Sequence, residues 1–228
     1  MTSHQRFSLF LFFLFIFNSL YFSNLAYSQI QNGSFESGTN PGSYLTVTSP
    51  NNTTITGWNV VSADIDYIGS YWQAANGTRS IDLSGSVGSA GAIQQTFTTT
   101  AGATYYITFS LAGNPDGPQG IKTVQVSASP CSGCLPLNYN FDTTGHSTTN
   151  MGWVDQTYIF TATSTSTTIT FTSLTNSGYG PAIDNVRESH TLPPPAPVST
   201  GANTNMIILI TLIAMSVGSF LIRKTRLI

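Results

Sequence analysis

The chain has 228 residues, of which 40% are hydrophobic and only 7% are charged, and its formal net charge is −2. This apolar and aromatic content excludes an intrinsically disordered chain. All nine acidic residues lie in the segment 29–190, where the basic residues are Arg79, Lys122 and Arg187. Because the resulting formal charge of −6 repels phosphates, the composition argues against a nucleic-acid partner.

The first 28 residues have the three parts of a secretory signal. A short polar start carries Arg6, an apolar run extends from Phe7 to Phe17, and small residues at the −3 and −1 positions precede Gln29. This order predicts a signal peptide, residues 1–28, that is cleaved before Gln29. An uncleaved membrane anchor is the alternative, because the apolar run is long and rich in phenylalanine.

The C-terminal end predicts a surface anchor in three parts. Residues 191–205 are rich in proline, which disfavours helix and sheet ladder and indicates an extended stalk. Residues 206–222 form an uncharged, largely apolar run of 17 residues, near the lower limit for a transmembrane helix. The basic tail, residues 223–228, is expected to stay in the cytoplasm, so the middle of the chain would face the outside.

The stalk also resembles a sortase-type sorting signal, in which L-P-x-T-G precedes an apolar span and a basic end. The nearest match comprises Pro197, Thr200 and Gly201, with one residue too many between the proline and the threonine. Cleavage by a sortase-type transpeptidase after Thr200 and a permanent single-span anchor both stay open. In either case we expect the domain on the extracellular face of the cell membrane or in the cell wall.

The segment 29–190 has the two-residue hydrophobic period of β-strands. Large apolar residues alternate with threonine or other polar residues in 104–111, 124–128 and 168–172. Turn clusters such as 114–118 separate the runs. Strands with one face in a core and the other in water produce this pattern. We therefore predict one all-β domain, an antiparallel β-sandwich of the jelly-roll type.

Cys131 and Cys134 have the spacing of a redox motif. In a cytosolic protein with a βαβ pattern, this spacing would indicate a thioredoxin-like site. In a secreted β-protein, the oxidising compartment favours a small loop disulfide between the two cysteines. Catalysis and metal binding are the alternatives.

Seven short motifs follow one another along the domain: 32–36, 54–60, 66–72, 77–85, 91–97, 104–114 and 180–186. Together they resemble the choice-of-anchor C family, the bacterial side of a domain of unknown function that also occurs in plant cell-wall proteins. The resemblance covers nearly all of residues 29–187. It implies a galactose-binding-like jelly roll on a surface anchor, associated with wall polysaccharide.

The resemblance also implies a structural ion. In carbohydrate-binding sandwich modules that open with an N-G-x-F-E strand and close with an I-D-N-V strand, these two strands pair in one sheet. Glu36 and Asp184 would then approach each other and supply oxygen ligands for a structural calcium, with Asp82 as a weaker third candidate. The alternative is that Glu36 caps a loop and Asp184 accepts hydrogen bonds from a turn.

The sequence gives little indication of the catalytic residues that a hydrolase needs. Asp64 and Asp66 lie on one face if their segment is a strand, but such a pair arises easily by chance among nine acidic residues. After signal removal only His146 and His190 remain, and no segment resembles a nucleophile elbow. We therefore expect a domain without catalytic activity.

Carbohydrate recognition uses aromatic faces against sugar rings, with carboxylates and amides that fix the hydroxyls. The densest aromatic stretch, 67–73, supplies the candidate ligand-binding residues Asp66, Tyr71 and Trp72 at its start and centre, and Tyr179 lies near a later turn. A position in the core is the alternative for each aromatic residue. We expect that replacing Tyr71 or Trp72 weakens glycan retention without unfolding the domain.

The sequence-based hypothesis is a surface-anchored, non-catalytic domain that binds carbohydrate or cell-wall polysaccharide. The family resemblance supplies the sugar, whereas the residues alone supply a secreted β-sandwich with available aromatic side chains. A structural or adhesion domain that binds another surface protein is the alternative, and a glycoside-active enzyme comes third.

Overall fold

Every regular element in residues 30–85 and 90–191, the part of the chain that the computed structural model describes, is a β-strand. The strands are β1 (Tyr44–Thr48), β2 (Asn59–Ser62), β3 (Asp64–Ile68), β4 (Ser80–Asp82), β5 (Ala92–Thr98), β6 (Thr104–Gly113), β7 (Ile121–Ser129), β8 (Leu137–Asp142), β9 (Val154–Thr161), β10 (Ser166–Ser173) and β11 (Pro181–Thr191). They form a six-stranded sheet, β1-β3-β4-β11-β6-β9, and a five-stranded sheet, β2-β5-β10-β7-β8. All pairings between these strands are antiparallel, so the predicted antiparallel β-sandwich is confirmed.

Four of the predicted segments lie outside the described residues. They are the signal peptide, the stalk beyond Thr191 with Pro197, Thr200 and Gly201, the membrane span 206–222 and the basic tail. Within 30–85 and 90–191, no helix is long and apolar enough to cross a membrane.

The core lies between the two sheets and follows the two-residue period. On β6, Tyr105, Ile107, Phe109 and Leu111 are buried, whereas Thr104, Tyr106 and Thr108 between them are half-buried. The Phe109 ring meets the ring of Phe171 on β10 edge-on at 5.1 Å, so this pair joins the two sheets. Each such burial stabilises the fold by about 1.5–3 kcal/mol. The strands predicted at 104–111, 124–128 and 168–172 correspond to β6, β7 and β10.

The N-terminal motif 32–36 is a turn, and the expectation that it pairs with β11 as a strand was wrong. Asn32 and Phe35 have positive φ angles of 50° and 61°, which curl the backbone away from an extended conformation. The Asn32 side chain stabilises this turn, because its amide donates to the carbonyl oxygens of Ser37 and Thr56, both at 2.8 Å. The motif still meets β11 through one hydrogen bond, from the Val186 N–H to the Gly33 carbonyl at 2.8 Å.

Two carboxylates hold residues 75–79, which we call the 75–79 loop and which leads into β4. Glu36 accepts hydrogen bonds from the backbone N–H groups of Thr78 and Arg79 and from the Thr78 hydroxyl, each at 2.8 Å. Asp184 accepts from the N–H groups of Ala75 and Asn76, also at 2.8 Å. A hydrogen bond contributes about 0.5–1.5 kcal/mol, and about 1.5–3 kcal/mol when its acceptor is charged. The two ends of the domain therefore fix this loop together.

Replacing Gly77 with alanine is expected to destabilise the domain by about 1–3 kcal/mol. Gly77 has a φ of +69°, and a Cβ there would collide with the Glu36 carboxylate. Urea unfolding followed by tryptophan fluorescence measures the change.

The matched control is Gly145→Ala, because Gly145 has a φ of +79° but open space around its Cβ position. It carries the backbone strain without the collision, so the Gly77 variant should lose more stability. Equal losses in the two variants would show that the contact with Glu36 does not matter.

Candidate functional site

A cleft of about 290 Å³ lies at one end of the six-stranded sheet. Residues of β1 and β3 line it, together with turns that follow β3, β4 and β6 and the turn before β11. Three of its side chains are exposed tyrosines, Tyr44, Tyr71 and Tyr179, and we call it the tyrosine cleft. A second hollow of about 390 Å³, beside Pro50 and Asn59, has neither an aromatic nor an ionisable side chain among its described lining residues.

The pairing of β1 with β3 determines which residues form the polar side of the tyrosine cleft. Tyr44 and Thr46 are two residues apart on β1 and therefore share a face. The antiparallel pairing sets Thr46 directly opposite Asp66 on β3 and Tyr44 opposite Ile68. The Thr46 hydroxyl donates to the Asp66 carboxylate at 2.5 Å. Asp66 is buried, so this carboxylate forms part of the floor.

The tyrosines are held in place by neighbouring rings and by residues 114–118. The Tyr71 ring lies 5.4 Å from Tyr44 in an edge-on arrangement. Its hydroxyl donates to the Asp116 carboxylate at 2.5 Å, and this bond raises the pKa of Tyr71 to about 12. Tyr179 lies against Gly117, where a Cβ would collide with the ring. The aromatic rim is therefore largely positioned before a ligand arrives.

The four predicted ligand-binding residues, Asp66, Tyr71, Trp72 and Tyr179, all line this one cleft. Whether they bind a ligand stays a prediction. The expectation for Trp72 needs correction, because its side chain is only 5% exposed and its indole N–H donates to the Ser80 hydroxyl at 2.7 Å. Since Trp72 belongs to the core, replacing it is expected to destabilise the domain, unlike replacement of Tyr71.

Sequence reasoning did not select Tyr44, Asn114 or Asp116. Tyr44 carries a usable signal, since it alternates with Thr46 in an apolar–polar strand pattern. Asn114 and Asp116 belong to a turn cluster that was recognised only as a boundary between strands. Nothing in the local sequence indicates that this turn approaches Tyr71.

A second carboxyl group lies behind the floor. Asp82 on β4 is directly opposite Asp66 in the strand register and is fully buried. It accepts hydrogen bonds from the Asn114 side-chain amide at 2.8 Å and from the N–H groups of Ser84 and Gly180 at 3.0 and 3.1 Å. Burial nevertheless raises the pKa of Asp82 to about 8.

The pKa of Asp66 is also raised. Burial is the main cause, the hydrogen bond from Thr46 opposes it, and the nearby negative charge of Asp64 adds to it. Because the pKa of Asp82 is about 8, Asp82 is mainly protonated at neutral pH, so the two neighbouring carboxyl groups do not both carry a full negative charge.

Glu36 and Asp184, the predicted calcium ligands, both accept hydrogen bonds from the 75–79 loop. The carboxylate oxygens accept hydrogen bonds from the 75–79 loop, whereas calcium requires further oxygen ligands around it. In the described part of the chain, no three His, Cys, Asp or Glu side chains come together as a metal-binding group. These hydrogen bonds correspond to the loop-capping alternative, and the structural calcium stays a prediction. Asp82, the third candidate, hydrogen-bonds to Asn114 instead.

The remaining reactive side chains lie elsewhere. Cys131 and Cys134 are joined in a disulfide, with their Cα atoms 6.1 Å apart. The His190 Nδ1 lies 2.8 Å from the Glu188 carboxylate, and its ring stacks on Tyr105 at 5.0 Å. Neither histidine, His146 or His190, lines the tyrosine cleft. The expected lack of catalytic activity stays a prediction.

The chain belongs to the family described as "Protein of unknown function (DUF642)", whose model matches residues 28–188. The narrower choice-of-anchor C assignment stays a prediction. A stretch of 164 residues is 38% identical to Halomucin of Haloquadratum walsbyi. That match covers 69% of this chain and only 2% of Halomucin, so the chain spans a very small part of this relative.

Comparison with solved structures finds several that are weakly similar to this chain. TmCBM61 in complex with beta-1,4-galactotriose has a TM-score of 0.47 and 17% identity, over 73% of this chain and all of the other. CBM35 from Cellvibrio japonicus Abf62 has a TM-score of 0.42 and 15% identity, over 67% of this chain and 99% of the other. With TM-scores below 0.5, these similarities carry over neither a ligand nor an activity.

The buried carboxyl groups predict that the free energy of unfolding falls as the pH rises from about 4 to about 8. Burial raises the pKa of Asp184 to about 7 and that of Asp82 to about 8. In the unfolded chain both groups ionise near pH 4. Between these values the folded state binds more protons than the unfolded state, so stability is lost as the pH rises.

Urea unfolding at pH 5 and pH 8 tests this expectation. Asp142 and Asp155 have lowered pKa values and titrate below this range. The variant Asp82→Asn should show a weaker pH dependence than the unmodified protein. Greater stability at pH 8 would mean that the hydrogen bonds to these carboxylates outweigh the effect of burial.

Proposed function

We propose that the tyrosine cleft binds carbohydrate and that the domain is a non-catalytic recognition module for a glycan such as cell-wall polysaccharide. One observation carries the proposal: three exposed tyrosines surround a floor that contains a buried carboxylate. Tyr44, Tyr71 and Tyr179 are 51%, 39% and 38% exposed, although large aromatic side chains usually lie in the core.

The chemistry of the cleft suits a sugar. Aromatic rings pack against the apolar C–H faces of a pyranose, and the polar groups accept or donate hydrogen bonds to its hydroxyls. Asp66 supplies such a group among the described lining residues. A volume of about 290 Å³ lies near the lower end of ligand pockets, which is about 300 Å³. This size favours a short stretch of saccharide over a large cofactor.

Surface display completes the proposal and rests on the sequence alone. The signal peptide would deliver the domain out of the cell, and the stalk with the apolar run 206–222 would retain it at the membrane or, after sortase-type cleavage, in the wall. A glycan-binding module in that position would attach the cell to polysaccharide in its surroundings.

Tyr71→Ala and Tyr179→Ala are each expected to weaken glycan binding roughly two- to twelvefold, if a ring stacked on a sugar contributes as much as an aromatic pair, about 0.5–1.5 kcal/mol. The full-length chain and its variants are compared on an array of soluble and insoluble polysaccharides. Tyr106→Ala is the control, since Tyr106 is a half-buried tyrosine of β6 that does not line the cleft.

Circular dichroism establishes that each variant is folded. Equal binding by the control and the cleft variants would place the glycan elsewhere. Retention on no polysaccharide at all would contradict the proposed function and favour adhesion to another surface protein.

A further inference from the structure

This inference rests on the proposed carbohydrate function and concerns which sugars the site accepts. We propose that the tyrosine cleft selects uncharged saccharides and rejects uronic acids, and that Asp66 is the residue that determines this selectivity.

The charge around the cleft has one sign. The described residues that line it include Asp66 but no lysine, arginine or histidine. The rim adds a second carboxylate, because Asp116 accepts the hydrogen bond of the Tyr71 hydroxyl. Residues 86–89, which follow the lining residue Gly85, contain no charged side chain in the sequence. A ligand carboxylate would therefore meet negative charge without a compensating cation.

The cations of the neighbouring segments are already engaged. Lys122 is 4% exposed, and its ammonium group donates to the Pro118 carbonyl at 3.1 Å. The Arg79 guanidinium donates to the Tyr67 hydroxyl at 2.7 Å and lies over the Tyr67 ring. Turning either side chain towards the cleft would break these contacts.

The negative charge of Asp66 attracts the hydroxyl groups of a neutral sugar and repels the carboxylate of an acidic one. Its carboxylate is buried in the floor, where a lower dielectric strengthens both attraction and repulsion. A sugar hydroxyl that donates to it forms a charge-assisted hydrogen bond. Asn114 is less available, because its amide donates to Asp82 and its carbonyl accepts from the Asp116 N–H. Asp66 is therefore the group that discriminates between uncharged sugars and uronic acids.

The test compares matched pairs of probes at pH 8. Each pair consists of a glucan, galactan or mannan oligosaccharide and its counterpart oxidised at C6, so that a hydroxymethyl group and a carboxylate are the only difference. Isothermal titration of the full-length chain is expected to give at least about tenfold weaker binding of every oxidised probe. In Asp66→Asn the ratio should fall towards one, mainly through tighter binding of the oxidised probe.

Two further variants provide a control for the loss of charge and an independent test of the selectivity. Asp142→Asn removes the same charge from an exposed position at the end of β8 and should leave the ratio unchanged. Thr46→Lys places a cation beside Asp66 at an exposed position of β1 and should reverse the preference, even if Asp66→Asn fails to fold.

The outcomes separate the two proposals. Equal binding of neutral and oxidised probes, or tighter binding of the oxidised ones, by the unmodified protein would overturn the selectivity and leave carbohydrate binding in place. The selectivity also fails if Asp142→Asn changes the ratio as much as the cleft variants do. Binding of neither probe in any pair would contradict the proposed function itself, and the selectivity with it.

Discussion

Two acidic side chains from opposite ends of the domain converge on the 75–79 loop, and the position of the tyrosine cleft depends on them. Glu36 and Asp184 together accept five hydrogen bonds from this loop, four of them from consecutive or nearly consecutive backbone N–H groups. The loop follows the turn that carries Tyr71 and leads into β4, which ends at Asp82. A shift of the loop would therefore move the rim and the floor together.

The two carboxyl groups at and behind the floor of the cleft impose a second, electrostatic constraint. Neighbouring antiparallel strands hold Asp66 and Asp82 opposite each other, and burial disfavours the charged form of both. Hydrophobic residues of similar size would stabilise a sandwich at lower cost. In the proposed carbohydrate site, Asp66 supplies a polar group at a fixed position, because the Thr46 hydroxyl holds its carboxylate, while Asn114 holds the buried Asp82 behind it.

The two-residue period predicted β6, β7 and β10 because alternation is a local property, set by which face of a strand is buried. The cleft is different. Tyr44, Asp66 and Tyr179 meet only through the pairing of β1 with β3 and the course of the turn before β11, neither of which follows from local alternation. Asp66, Tyr71 and Tyr179 were predicted from an aromatic-rich stretch and from a position near a turn, whereas Tyr44 was not predicted.

The resemblance grouped Glu36 with Asp184, and in the structure both accept hydrogen bonds from the 75–79 loop; the calcium ion that it implies for them stays a prediction. The positive φ angles of Asn32 and Phe35 turn the N-terminal motif away from an extended conformation, and Glu36 at its end accepts hydrogen bonds from backbone N–H groups of the 75–79 loop. A sequence motif shows which residue types occur and in what order. It does not show which hydrogen-bond donors Glu36 and Asp184 contact, because those donors belong to the 75–79 loop, elsewhere in the sequence.

A crystal structure of the full-length chain with a retained oligosaccharide tests the central claim most directly. The account predicts a pyranose ring against Tyr71 or Tyr179, with a hydroxyl group within hydrogen-bond distance of the Asp66 carboxylate. A ligand bound in the hollow beside Pro50 and Asn59, or on the outer face of either sheet, would contradict it.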